Sequence, residues 1–592
     1  MTAALARADR IRSVTRRALS VLLLFYCAAC GGEKFQGPLR LLDRKPADGR
    51  IVKSGALSTG GETRPALLES ARYRVPLPKR GRLTFGMGLA WTASEEEAPG
   101  WYRLTVRAGE KVLVEKQLNP RALRGFRDVS VPLDGLGAQT DLALELRFTD
   151  RDGKDVAQPK DLLLGISEPT LHDLDDYGRA KGVVLVSIDT LRRDHVGAYG
   201  YSRPTTPRLD ALAKEGILAE DAVSVSSWTL PAHLSMLTSV DPGVHGGTET
   251  KLGFNKRVPT LASLLKQNGY ATQAVTSHLY VSAAYGLDEG FDRLDLHQDR
   301  KATETADRAI AILERLGDRP FFLFLHFYDP HWHYDPPAKQ RALFDSGYKG
   351  KLSGLWQDFK DKTAANTTPQ EKQHLLDLYD GEIRYTDDEV GRILDHLKAS
   401  GLDQSTLVVV TSDHGEEFLE HGSWEHQKTL YEEVIRIPLA LRGPGVPQRR
   451  EKAQTSLLDI APTVLAWAGL PQAPTHQGKS LLAPLPERAA YGETDHTLDG
   501  THKLFVRSGA GRGKAILSLA PNGDTLAKEE WYDLAADPAE SKDARPRDEV
   551  ANSLRDKAIQ RFKDGRTRGA GAPTVKLSQE QIERLRALGY IK

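Results

Sequence analysis

Three apolar runs in this chain end on residues that can do chemistry. Val183-Val184-Leu185-Val186-Ser187-Ile188 is followed directly by Asp189. Pro320-Phe321-Phe322-Leu323-Phe324-Leu325 is followed within a few residues by Asp329, His331 and His333, and Thr406-Leu407-Val408-Val409-Val410 by Asp413 and His414. Between the first two lies Ser226-Ser227-Trp228-Thr229-Leu230-Pro231-Ala232-His233-Leu234-Ser235-Met236-Leu237-Thr238-Ser239, which places the Thr229 hydroxyl just before a proline. A carboxylate at a strand end beside a possible nucleophile suits a divalent cation. Taken alone, Asp189 could equally be a loop or N-cap aspartate. Thr229 could likewise cap a helix. That role is compatible with chemistry, because a helix N-terminus also favours an anionic ester group.

The elements that must position these residues follow from the same runs. Continuous apolar stretches of this length are typical of strands buried on both faces. Amphipathic helical stretches, Thr206 to Glu215 and Pro259 to Asn268, alternate with them. The pattern predicts an α/β fold, a mostly parallel sheet with helices on both faces and ligands at the carboxyl ends of its strands. Upstream, Arg82–Met87, Tyr102–Val106, Val112–Val114 and Leu142–Phe148 are short alternating runs separated by turn signals. They predict a separate β-sandwich. Ser578 with Gln581 three residues on reads as the capped start of a short C-terminal helix.

The central stretch resembles the core motif of the sulfatase family, in the alkaline-phosphatase-like superfamily, which reads Cys/Ser-x-Pro-Ser-Arg-x-x-x-Leu-Thr-Gly. Pro231, Leu237 and Thr238 fall on it, while Thr229 stands at the nucleophile position and His233 at the arginine. Further landmarks occur in the family's order. They are Thr206–Ala213, Thr260-Leu261 with Gly269-Tyr270, Asp329-Pro330-His331, Ser412–Glu416, Tyr431-Glu432-Glu433 with Arg436-Ile437-Pro438, Asp459–Thr463, and Trp531–Leu534 with Asp537-Pro538. The resemblance covers about residues 180–545. It implies the alkaline-phosphatase/sulfatase-like sheet followed by a small C-terminal subdomain.

The resemblance also implies a ligand set of Asp189, Thr229, Asp413 and His414, like that of threonine-nucleophile relatives such as phosphodiesterases and phosphoethanolamine or phosphoglycerol transferases. Sulfatases carry a second Asp where Thr190 stands, and Asp-Asn where Asp413-His414 stand. The imidazole points to zinc or manganese rather than calcium. Such an ion on the Thr229 hydroxyl would lower its pKa and hold it for in-line attack on phosphorus or sulfur. His331 matches a family histidine that touches the transferred oxyanion. Asp329 and His333, four apart, with His426 could form a second metal site, or these histidines could bind the ester group without one. His426 could instead stand where sulfatases keep a lysine, with Lys428 close by. The family's Gly-Lys-Trp-His segment reads Val275–Leu279 here, so its lysine is lost. His278 could substitute for it or be a satisfied structural histidine, and His245 is expected to be a packing or turn residue. Glu416, Glu417 and Glu420 are expected to face solvent or steady their loop.

The chain has 592 residues, with 40% hydrophobic and 27% charged content, room for several domains and no disorder-like composition. Arg7, Arg10, Arg12, Arg16 and Arg17 precede the short apolar run Ala18–Ala29, as in a secretory signal. Cys27-Ala28-Ala29-Cys30 resembles a bacterial lipobox with Cys30 lipidated. Both cysteines lie there, so the mature chain is expected to hold no internal disulfide. The net charge is +1, and loss of residues 1–29 leaves −3, which does not suggest nucleic-acid binding. The expected organisation is signal peptide 1–29, lipidated cysteine and tether 30–65, β-sandwich 66–175, catalytic domain 180–490, C-terminal subdomain 491–570 and terminal helix 571–592.

Three functions compete. The first is a lipid-anchored periplasmic or cell-surface hydrolase, acting on a sulfate or phosphate ester of a small molecule, glycan or lipid, with one or two divalent ions and Thr229 as nucleophile. Formylglycine cannot form from threonine, so the usual sulfatase hydrate chemistry is not expected and phosphate esters gain weight. The second is a phosphoryl-group transferase, whose relatives usually sit behind several membrane spans. The third is a non-catalytic binder of anionic glycans, suggested by the missing family residues and opposed by the coherent metal set.

Overall fold

The structure is a computed structural model. It describes residues 39–587, apart from 60–61, 80, 92–99, 119–126, 134, 159–161, 174–181, 250–251, 317–318, 496–499, 510–511 and 545–548. The signal segment and Cys30 lie outside the described residues. The chain divides into two units, residues 1–60 with 65–178 and residues 61–64 with 179–592.

In the first unit, Ala71–Pro76, Gln139–Thr149, Trp101–Ala108 and Lys111–Leu118 form one antiparallel sheet in that order. Leu162–Asp173, Gly81–Trp91 and Arg127–Pro132 pair antiparallel in a second. The Ala71–Pro76 strand alternates buried and exposed before it ends buried. Tyr73, Leu104 and Leu142 from one sheet share a core with Leu83, Phe85 and Leu164 from the other. Period-two patterning thus gives each sheet one apolar face, and the two faces bury each other.

In the second unit the strands Thr406–Ser412, Gly182–Ile188, Phe321–Phe327, Ala271–Thr276 and Arg293–Leu296 lie side by side and parallel. Leu439–Arg442 extends the sheet antiparallel beyond Thr406–Ser412, followed by Ile217–Ala219 and Arg449–Glu451. Every residue of Gly182–Ile188, Phe321–Phe327 and Thr406–Ser412 is buried. These strands need no alternation because helices cover both faces. The register pairs Ile188 with Phe327 on one side and with Ser412 on the other. Asp189, Tyr328 and Asp413 therefore leave the sheet at one level, at its carboxyl edge. The sequence reading ended the Phe321 strand at Leu325; it runs two residues further, through His326 and Phe327.

A 31-residue helix, Pro369–Ala399, braces that edge. It begins with a capping box between Thr368 and Glu371 and with proline in its first turn. Its Tyr379 hydroxyl donates to the carbonyl of Thr190 (2.7 Å) and accepts the N–H of Arg192 (3.0 Å), while Thr386 donates to the carbonyl of Asp329. One helix thus holds the loops after two neighbouring strands.

A four-stranded antiparallel sheet, Ala490–Thr494, His502–Arg507, Gly513–Leu519 and Leu526–Asp533, packs with the helix Glu549–Gly569. The last helix, Gln579–Ala587, is capped by reciprocal bonds between Ser578 and Gln581. Among the described residues no helix is long and apolar enough to cross a membrane.

Candidate active site

Asp189 is the first residue beyond the central strand, and its N–H still donates to Phe327 O across the sheet (2.9 Å). The chain turns sharply at the next residue, where Thr190 has φ 55°. A β-branched residue in the left-handed region is strained by about 1–3 kcal/mol. The surroundings impose it: the Thr190 N–H reaches Asp413 Oδ1 (3.3 Å), and Tyr379 holds its carbonyl. On the neighbouring strand end, Asp413 Oδ1 also accepts the N–H of His414 (2.9 Å). Gly415 completes that turn, because a Cβ there would lie 2.0 Å from the carbonyl oxygen of Glu433.

Thr229 is the first residue of the helix Thr229–Thr238, whose ten residues are all buried. The N-cap position belongs to Trp228, which makes no side-chain cap. The Thr229 hydroxyl is therefore not occupied in capping. Its Oγ1 lies 3.4 Å from His414 Nε2. The same nitrogen lies 3.3 Å from Asp413 Oδ2 and 3.6 Å from Asp189 Oδ1. Its partner, Nδ1, gives its proton to Gly415 O (2.9 Å), which leaves Nε2 able to offer a lone pair.

Asp189, Asp413 and His414 place ligand atoms within 4.8 Å of one another, and all three are fully buried. Asp189 Oδ1 and Asp413 Oδ2 receive no hydrogen bond. Two unmet carboxylate oxygens facing an imidazole lone pair in a dry site are costly unless a cation sits among them. The set fits one divalent ion, with Thr229 Oγ1 as a further oxygen. Burial pushes Asp189 up to about 7, against the pull of His414, and raises Asp413 as well.

Other histidines surround this set. His233, at the family's arginine position, donates through Nδ1 to the carbonyl of Thr229 (2.8 Å) and accepts from Ser187 Oγ at Nε2 (3.0 Å). Burial depresses it to about 4, so it is neutral. His426 stacks near His414 with ring centres 4.3 Å apart, and His331 lies 5.0 Å from His426. His331 gives its Nδ1 proton to Trp332 O.

Asp329, His333 and His426, the three candidates for a second metal, each turn to a different partner. Asp329 ion-pairs with Lys301 (3.0 Å) and accepts the N–H of Ala302 (2.8 Å), at the start of the helix Ala302–Leu316. His333 Nδ1 accepts the Trp356 N–H (2.7 Å), and His426 Nδ1 faces Glu416 Oε1 (3.0 Å). Asp329 thus anchors a helix, and His333 is spent on a loop. Replacing Asp329 by alanine is expected to cost about 1–3 kcal/mol of stability, from the lost cap and the uncompensated lysine. Bound metal should stay unchanged, and elemental analysis beside thermal denaturation checks both.

Of the acidic trio, Glu417 and Glu420 steady their loop as expected, accepting the N–H groups of His421 and Phe418. Glu416 and Glu417 are buried, and Glu416 accepts from Tyr334 (3.2 Å) while backing His426; Glu420 pairs with Arg192. Lys428 is ion-paired to Glu425 (2.6 Å). His278 accepts the Tyr280 N–H and stacks on Tyr328, and His245 accepts the Gly247 N–H while Nε2 faces Ser235 and the carbonyl of Pro231. Both occupy structural roles. Sequence reasoning overlooked His326, whose Nε2 lies 3.2 Å from Asp189 Oδ2. A histidine near the end of a fully apolar strand needs a buried polar partner, and that was the available signal.

The sulfatase family model matches residues 181–470, the segment that carries every residue of this site. Residues 181–470 form a sulfatase-family domain. The chain is 30% identical over 301 residues to human N-sulphoglucosamine sulphohydrolase, covering 46% of this chain and 58% of that protein. It is 23% identical over 485 residues to the N-acetylglucosamine-6-O-sulfatase of Bacteroides thetaiotaomicron, covering 65% and 87%. Among solved structures, one in complex with its substrate D-glucosamine-2-N,6-O-disulfate superposes with a TM-score of 0.55 at 20% identity, over 68% of this chain and all of the other. The phosphonate monoester hydrolase of Agrobacterium radiobacter superposes at 0.53 and 20%, over 66% and 96%. The fold is that of the sulfatases, and the chain is a sulfatase-like hydrolase.

Proposed function

We propose that this chain hydrolyses an anionic ester, with Thr229 as nucleophile at a single divalent ion held by Asp189, Asp413 and His414. The observation that carries the proposal is the convergence of Thr229 Oγ1, Asp189 Oδ1 and Asp413 Oδ2 on His414 Nε2, with both carboxylate oxygens lacking donors. When bound, the ion would acidify the threonine hydroxyl and offset charge on the ester oxygens. Four oxygen and nitrogen donors that include imidazole fit zinc or manganese.

The chain's own groups then divide the work. His233 fixes the Thr229 carbonyl and so the rotation of the nucleophile's backbone. The helix N-terminus at Thr229 favours the negative ester group. His426 lies beside His414 and His331 beside His426, two imidazoles suited to binding ester oxygens. Thr229 Oγ1 attacks the central atom in line, the ester oxygen leaves and takes a proton, and a covalent threonine ester forms. Water then attacks that same central atom, which releases the free anion and returns Thr229.

A threonine ester must be cleaved at the central atom, because it has no second hydroxyl on its carbon to expel the anion. That requirement favours phosphoryl and phosphonyl esters over sulfate esters. The similarity to glucosamine sulfatases, and a fold shared with a protein solved with a disulfated glucosamine, make an amino-sugar ester the reading for the rest of the substrate. Nitrophenyl phosphate, a nitrophenyl phosphonate monoester and nitrophenyl sulfate, each assayed with zinc and with manganese, test the preference. The phosphorus esters should exceed the sulfate by at least about tenfold in kcat/KM, which corresponds to about 1.4 kcal/mol of transition-state binding. A sulfate ester turned over faster than both would overturn it.

The same reading tethers the enzyme outside the cytoplasm through a lipid on Cys30. Cys30→Ala should move the protein from the membrane fraction to the soluble one, and an unchanged distribution would remove the anchor.

A further inference from the structure

We propose that His326 is a positioning residue that sets which oxygen of Asp189 faces the cation. The inference rests on the reading of Asp189, Asp413 and His414 as a cation site. His326 is the last residue but one of the strand Phe321–Phe327, lies in register with Ser187 and is fully buried. Its two nitrogens are committed in a fixed order. The Ser277 N–H points at Nδ1 (3.3 Å), so Nδ1 accepts, and the ring proton must sit on Nε2. That proton faces Asp189 Oδ2 at 3.2 Å. Ser277 also grips the backbone of His326, through Oγ to its carbonyl oxygen (2.8 Å). The opposite tautomer would turn two N–H groups against each other and a lone pair against a carboxylate.

The consequence is a division of labour within the carboxylate. Oδ2 is spent on His326, and Oδ1 faces His414 Nε2 at 3.6 Å with no donor of its own. Asp413 is divided in the same way. Its Oδ1 takes the N–H groups of Thr190 and His414, and Oδ2 is left without a donor. Each aspartate therefore offers one oxygen in a preset direction. His326 is not itself a ligand, because its inward nitrogen carries the proton. Histidine tautomer control of this kind supports many metal sites, and its loss typically costs 10–100-fold in affinity.

The test is a calorimetric titration of zinc into the metal-free full chain, for the parent, His326→Met and His326→Gln. Methionine keeps roughly the volume and removes the donor, whereas the glutamine amide can still donate to Asp189 Oδ2. The expected result is a zinc Kd raised about 10–100-fold in His326→Met and within about threefold of the parent in His326→Gln. A structural role alone would lower the melting temperature of both variants and leave the Kd alone. Equal Kd values in parent and His326→Met, or an equal loss in both variants, would overturn the proposal. A parent that binds no zinc removes the cation reading itself, a separate outcome that takes the proposal with it. Should His326→Met fail to fold, a crystal structure of the zinc-loaded parent decides. Asp189 bound through Oδ1, with Oδ2 on His326, supports the inference; a His326 nitrogen on the zinc overturns it.

Discussion

Thr229→Ala is expected to lower kcat on the best ester substrate by on the order of 10⁴-fold or more, with its folded state intact. The size follows from removing a covalent nucleophile whose supporting groups cannot act without it. The folded state should survive because the Thr229 hydroxyl is not spent on the helix: the N-cap is Trp228, and Oγ1 faces His414 Nε2 at 3.4 Å. Deleting it leaves His414 Nε2 still facing Asp413 Oδ2 at 3.3 Å and Asp189 Oδ1 at 3.6 Å. Thr229→Ser keeps the oxygen and loses only the methyl that fixes its rotamer, so activity within roughly 10–100-fold of the parent is expected. Steady-state kinetics beside circular dichroism separates the two variants. Alanine and serine variants that fall equally would mean the hydroxyl is not the reacting group.

Metal removal has the second large effect. Chelation should abolish turnover, and Asp189→Asn or Asp413→Asn should each lose at least about 100-fold, the upper end of what residues that merely orient a ligand cost. The stability of the chelated protein should also acquire a distinctive pH dependence. Burial holds the Asp189 carboxyl up to about 7, above the value of about 3.9 it has in an unfolded chain. A carboxyl raised on folding adds stability that is complete below about pH 4 and is lost as the pH rises through about 7. Asp413 is raised for the same first reason, burial, with Asp189 as the next contributor. Metal-free Asp189→Asn should therefore melt higher relative to the parent at about pH 8 than at about pH 5, a comparison that cancels the opposite trend of His233 and His326, which burial depresses to about 4. Zinc at 100 times its Kd adds about 2.7 kcal/mol and acts most where the carboxyls are ionised, so it should reverse that trend. Melting curves at both pH values, with and without chelator, read this directly.

The contrast between what the sequence showed and what it hid is physical. Asp189, Asp413 and His414 were legible because each follows a run too apolar to be anything but a buried strand, and parallel register brings such strand ends to one level. Thr229 was legible from its place before Pro231 in a family pattern. Asp329 and His333 misled because a spacing of four says nothing about direction in a loop. One turned to the start of a helix that begins 27 residues earlier in the chain, and the other to the N–H of Trp356. Glu416 looked like a surface acid and is instead the buried partner of His426 and Tyr334, a choice made by loop packing. His326 was hidden by the apolarity of its own strand. Its role depends on lying beside Ser187, one residue from the strand end, and register between distant strands is not written locally.

The central claim is that Thr229 carries the transferred group. Acid-quenching the enzyme during turnover of a nitrophenyl phosphorus ester, followed by peptide mass spectrometry, tests it most directly. The expected result is a substrate-dependent phosphoryl or phosphonyl group on Thr229, absent from chelated enzyme. The same group on another residue, with Thr229 unmodified while product accumulates, would contradict the account.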